Sequence, residues 1–155
     1  DQVLQEAYHK LTANTERPIK NSIGYVSIVI FNSITEIESD LLVDMAKKED
    51  FVILGRCGDA IMANNNIPHI SIYITAPFEQ RIKRAMEIDS SLTVKQARHM
   101  LKHLDHVHSQ YYHYYTNRNW GHSNNYDLCI NSASYGIDGT VDFIYRMITA
   151  REEDK

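Results

Sequence analysis

Phe51-Val-Ile-Leu54, followed at once by Gly55-Arg-Cys-Gly-Asp59, is the stretch that says most about the architecture. Four apolar residues ended by glycine read as a short buried strand, because a strand covered on both faces shows no polar alternation. The two glycines free the backbone for a tight turn at the strand's carboxyl end. Between them Arg56 offers a planar fork suited to phosphate oxygens, and Asp59 can orient that guanidinium or cap the next helix. Ligands of layered α/β folds bind beyond the carboxyl ends of parallel strands, which makes Gly55, Arg56 and Asp59 candidate substrate-binding residues. An ordinary strand–turn–helix with a surface Arg–Asp pair accounts for the same residues.

Outward from this stretch the pattern repeats. Ile70–Thr75, stopped before Pro77, and Tyr126–Ile130, closed by Asn131-Ser132, are two further short apolar strands. Tyr25–Phe31 is rich in β-formers, although a buried helical segment fits it equally well. Helical patterns lie between. Ser33-Ile-Thr-Glu36 is a capping box ahead of Ile37, Leu41, Leu42, Met45 and Ala46 on one face. Pro77 suits the first turn of a helix through Glu87, and Thr93-Val-Lys-Gln96 is a second capping box opening a long helix to about Tyr115. Asp138 starts the last helix, with Val141, Ile144, Tyr145 and Ile148 inward. This alternation predicts an α/β fold, a parallel sheet flanked by helices, in a single domain over 1–155.

Composition narrows the function classes. The 155 residues carry 16 Lys+Arg against 20 Asp+Glu, a net charge of −4, so a general affinity for nucleic acid has no support. The longest strongly apolar run, Tyr25–Phe31, is too short to span a membrane, and no signal-peptide pattern opens the chain. Two cysteines, Cys57 and Cys129, form neither a disulfide framework nor a zinc site; they fit a reducing, cytoplasmic compartment. Six glycines, at 24, 55, 58, 121, 136 and 139, include no pair bracketing a GxxxxGK[ST] phosphate loop. The chain opens at Asp1 in a helix-like pattern (Val3, Leu4, Ala7, Leu11), and the expectation is an N-terminally incomplete domain.

Three more segments carry candidate chemistry. Arg81 and Arg84 stand one helical turn apart, with Arg98 further on, and two such arginines can clamp a polyphosphate or simply form a solvated basic face. His99, His103, His106, Gln110 and His113 share a stripe opposite Ala97, Leu101, Leu104, Tyr111 and Tyr115, which predicts an exposed face without a metal-binding set. The same helical arithmetic sets His108 within the apolar face and Asp105 at its margin, where a carboxylate needs a partner, structural or ligand. Tyr111-Tyr-His-Tyr-Tyr115 covers every face of a helix, so some of these rings are exposed or pack on another element, an oligomeric interface included.

In this order, Val52–Cys57, Pro77–Arg84, Asp105, Tyr111-Tyr112, Tyr115-Thr116, Trp120-Gly121, Tyr126–Asn131 and Gly136 resemble the cytidylate kinase-like family of P-loop nucleoside monophosphate kinases. The likeness covers about residues 40–148 and is weak over the first 35. It implies a three-layer P-loop kinase architecture and phosphoryl transfer from ATP, with Mg2+, to a nucleoside monophosphate such as CMP. By the same resemblance Arg56 would hold the acceptor's phosphate, Arg81 and Arg84 would flank a lid over the donor phosphates, and Asp105 would lie in the segment approaching the acceptor or the lid. Two features depart from the family pattern. The opening strand and glycine-rich loop are missing, and the chain reads Asp105-His-Val-His108 where the family tends to place Arg or Lys after the aspartate. Little kinase turnover is therefore expected of these 155 residues.

Overall fold

Strand pairing in this chain is parallel and uses very short strands. The structure, a computed structural model, describes residues 27–29, 36–48, 50–55 and 57–153. They fall into two compact units, Asp1–Ile70 with Ile137–Lys155, and Ser71–Gly136.

In the first unit β1 (Ser27–Val29) runs parallel to β2 (Phe51–Ile53), with Ser27 opposite Phe51 and Val29 opposite Ile53. The β-rich run at Tyr25–Phe31 thus contains a strand. A parallel pair needs a crossover, and α1 (Glu36–Ala46) supplies it. After β2 the chain turns into α2 (Gly58–Asn64), a short helix with no apolar period long enough to mark it in sequence. Leu42, Ile61 and Met62 form the buried centre, and Val43, Ala46, Phe51, Ile53 and Ile67 pack around them. The expected capping box at Ser33 and the pattern from Val3 to Leu11 lie outside the described residues.

The last helix, α5 (Ser132–Glu153), is broken at Gly136, whose φ of 70° and ψ of 176° are not helical. Its longer part therefore begins beside the expected start at Asp138. Thr140, Val141 and Ile144 are buried there, as the inward period predicts for the last two.

In the second unit β3 (Ile72–Thr75) runs parallel to β4 (Leu128–Asn131), with Ile72 opposite Leu128 and Thr75 opposite Asn131. Asp127 anchors this register: its carboxylate accepts from the Ser71 N–H at 2.8 Å and from the Ser71 hydroxyl at 2.9 Å. The crossover is a helical hairpin, α3 (Phe78–Ile88) and α4 (Val94–Thr116). Pro77 is the N-cap of α3, one residue ahead of its expected place in the first turn. Thr93 and Gln96 form the expected capping box. The Thr93 hydroxyl accepts from Gln96 N–H at 3.3 Å, and the Gln96 side chain accepts from Thr93 N–H at 2.9 Å. Asn117, in the left-handed region at φ 54°, ends the helix.

The faces of α4 match the expectation in part. Ala97 and Tyr112 are buried, and His99, His103, His106, Gln110 and His113 are all exposed. Leu104 and Tyr115, expected on the covered side, are 40% and 47% exposed. His108, expected within the apolar face, is exposed too, although its ring lies 5.4 Å from that of Trp120. The cause is length: α3 has 11 residues and α4 has 23, so the partner helix covers only part of the apolar stripe.

Candidate functional site

The turn after β2 is built by its glycines. Gly55 has φ 74°, and a Cβ there would touch nothing within 4 Å, so its role is backbone conformation alone. At Gly58 the constraint is space, since a Cβ would come within 2.8 Å of the Ile53 side chain. Cys57 between them is buried and left-handed, at φ 57°, and serves as the N-cap of α2 without a side-chain cap. Asp59 is half-buried in the first helical turn, where a carboxylate favours the helix dipole. Arg56 lies outside the described residues.

The second constellation belongs to the α3–α4 hairpin. Arg81 donates through Nη1 to Asp105 Oδ2 at 2.8 Å and through Nη2 to Oδ1 at 2.7 Å, a bidentate pair with both side chains 32% exposed. The hydrogen bonds to Asp105 raise the Arg81 pKa above its ordinary value, against an opposing effect of burial. Asp105 thus has its partner 24 residues away on the neighbouring helix.

Arg84, expected on the same face as Arg81, donates to Glu87 at 3.2 Å, and Arg98 donates to Glu79 at 2.9 Å. Phe78 links two of these pairs: the guanidinium carbons of Arg81 and Arg98 lie 5.8 Å and 5.6 Å from its ring centre, within cation–π range. So Arg81 and Asp105 are brought together, while Arg84 has a carboxylate of its own. Gly55 and Asp59 belong to the other unit.

Beside this pair stands an aromatic group that strand and motif reading does not single out. Tyr73 on β3 stacks on Tyr126 at 5.1 Å and meets Trp120 edge-on at 5.5 Å. Burial, and then the Asp105 charge, push the Tyr73 phenol above its ordinary pKa. Gly121, at φ 75°, passes so close that a Cβ would lie 2.8 Å from the Tyr73 hydroxyl. The alternation of β3 puts Tyr73 on one face of the sheet, but nothing local says which face holds Asp105. Phe78 and Glu79 are equally silent in sequence, because their arginine partners come from packing.

Among the described residues no group of three His, Cys, Asp or Glu side chains could hold a metal ion, and no helix is long and apolar enough to cross a membrane.

The sequence model of the cytidylate kinase-like family matches residues 2–134. That match takes in the first 35 residues, where the likeness reads as weak, and stops short of 148. Among solved structures, the crystal structure of an uncharacterized protein from Eubacterium ventriosum ATCC 27560 is similar, at 31% identity and a TM-score of 0.67. The similarity covers 73% of this chain and 63% of that one. No curated protein matches the sequence. With the family's pattern running through both the glycine turn and the arginine hairpin, the chain belongs to the cytidylate kinase-like family.

Proposed function

We propose that this chain is a nucleoside monophosphate kinase-like domain of P-loop ancestry, built for phosphoryl transfer from ATP to CMP or a similar monophosphate. The observation that carries this reading is the family match over residues 2–134, which spans every candidate site residue. In such chemistry the protein positions its substrates and neutralises charge, and does little covalent work itself. On this reading Arg56 holds the acceptor phosphate, Gly55 lets the backbone come close, and Asp59 orients the guanidinium. Arg81 and Arg84 face the transferring phosphates, and Asp105 fixes Arg81 by its two hydrogen bonds.

ATP with Mg2+ would supply the donor phosphoryl group and neutralise its charge. The residues at hand do not form its cradle: the glycines make no phosphate-loop pattern, and the described carboxylates form no cluster. On this reading little turnover is expected of these 155 residues. A second reading, a non-catalytic nucleotide-binding domain, draws support from the hairpin, where Arg81, Arg84 and Arg98 each already face a carboxylate.

Calorimetry with CMP, beside a coupled ATP–CMP assay, tests both. Binding that Arg56→Ala weakens about tenfold or more supports an acceptor-phosphate site, since a charged hydrogen bond of about 1.5–3 kcal/mol is lost. Turnover above background selects the enzyme, and binding without turnover selects the second reading. No heat with CMP or any other nucleoside monophosphate would sink both.

A further inference from the structure

His99 and His103 stand four residues apart on the exposed stripe of α4, outside both constellations described above. Side chains at that spacing leave the helix about 40° apart and one turn along, with Cβ atoms roughly 6 Å from each other. Two imidazoles so placed can reach one metal ion at about 2.0–2.1 Å, as paired histidines on a helix hold zinc. The frame exists before any ion arrives. The Thr93–Gln96 box fixes the first turn of α4, and Ala97 and Tyr112 are buried on its opposite side. Neither ring has a hydrogen bond or ion pair among the described residues, so an ion displaces no existing contact. His113, further along the stripe, differs on both counts. Its Nδ1 lies 3.3 Å from the Arg118 carbonyl oxygen, and the residues one turn before it are Ser109 and Gln110.

We propose that His99 and His103 chelate a borderline divalent cation of the Ni2+, Cu2+ and Zn2+ class, with water in the remaining positions. Donor type selects the ion. Imidazole nitrogen suits these metals, whereas Mg2+ and Ca2+ require oxygen ligands. The one carboxylate of α4, Asp105, accepts from Arg81 with both oxygens and so is engaged elsewhere. His106 adds no third ligand, because it is two turns from His99, about 10.5 Å along the axis. The site is therefore a two-nitrogen chelate, consistent with the absence of any three-residue metal group among the described residues. Lys95, one turn before His99, and Lys102, next to His103, bring positive charge to the same side, which holds the affinity to a moderate level. The inference is independent of the proposed catalytic reading and of the Mg2+ that accompanies ATP.

Calorimetry of the full, untagged chain with NiCl2 at neutral pH, in a non-chelating buffer, tests it. The expected result is saturable binding of one ion. His99→Gln and His103→Gln replace exposed side chains, so the helix persists and circular dichroism verifies it. Each weakens Ni2+ binding about tenfold or more, since one remaining imidazole cannot chelate. His113→Gln, on the same stripe without a histidine one turn away, leaves the affinity unchanged. Tenfold excess MgCl2 does not compete. Ni2+ also raises the thermal midpoint of the parent chain and not that of His103→Gln. Absence of saturable binding overturns the proposal. So does binding that either His99→Gln or His103→Gln leaves intact, or that Mg2+ displaces.

Discussion

At Arg81 two effects oppose each other: partial burial penalises the charge, and the two hydrogen bonds it donates to Asp105 hold it. The hydrogen bonds win, so removing either partner leaves a half-buried charge without its counterion. Asp105→Asn and Arg81→Met are each expected to cost about 1–2 kcal/mol, reduced from the fully buried figure by partial exposure. The double variant should cost clearly less than their sum, because both changes remove one interaction. Urea titrations of the four proteins measure this, and strict additivity would count against the pair as a unit. The glycines give a second comparison at this scale. Gly121→Ala meets both a left-handed backbone and the Tyr73 hydroxyl 2.8 Å away, on a ring held by Tyr126 and Trp120. Gly55→Ala meets the backbone penalty alone. The expected losses are about 1 kcal/mol at Gly55 and at least about 2 kcal/mol at Gly121. Tyr73 adds a pH signature. Its pKa is raised in the folded chain above the ordinary 10.0, so the unfolded chain ionises first. Stability from this group is whole below about pH 10 and is lost as pH rises through the folded value. Tyr73→Phe should abolish that alkaline loss, read as the urea midpoint followed from pH 8 upward.

Helix α4 shows best what can be read from residues one at a time and what needs a neighbour. Its start was legible because a capping box is a local device, two side chains closing on two backbone N–H groups within four residues. Thr93→Ala removes the hydroxyl acceptor and is expected to lower stability by about 1 kcal/mol, with hydrogen exchange quickening first at Val94–Gln96. Equal protection there in both proteins would mean that packing, and not the cap, holds the helix end. Periodicity also placed the histidine stripe outside and Asp105 at a margin. It failed at Leu104, Tyr115 and His108, because a helical wheel ranks faces without knowing how far the partner helix reaches. The partner of Asp105 was illegible for the same reason, since Arg81 lies on another element. Three strands were legible as short apolar runs closed by Gly55, Pro77 or Asn131-Ser132, β1 lay in a run that fitted a helix equally well, and α2 was too short to show a period.

For the whole chain, the division into two units turns the functional proposal into a question of place. Gly55, Arg56 and Asp59 lie in the unit containing β2 and α2, and Arg81, Arg84 and Asp105 in the unit containing the hairpin. A ligand that binds only the folded state adds RT ln(1 + [L]/Kd), about 2.7 kcal/mol at a hundredfold excess over Kd, to whatever must stay folded to hold it. If Arg56 holds the acceptor phosphate, saturating CMP should slow amide exchange chiefly in Phe51–Asn64, leaving the hairpin exchange rates nearly unchanged. The hairpin has little to offer a monophosphate on its own, because each of its three arginines already faces a carboxylate and exchanging partners yields little net charge. ATP or tripolyphosphate, with more charge to set against those carboxylates, should then be the ligand that slows exchange in Phe78–Thr116. Hydrogen-exchange mass spectrometry of the full chain with each ligand separates the two effects. Protection by CMP confined to the hairpin would move the acceptor site away from Arg56 while leaving nucleotide binding itself in place.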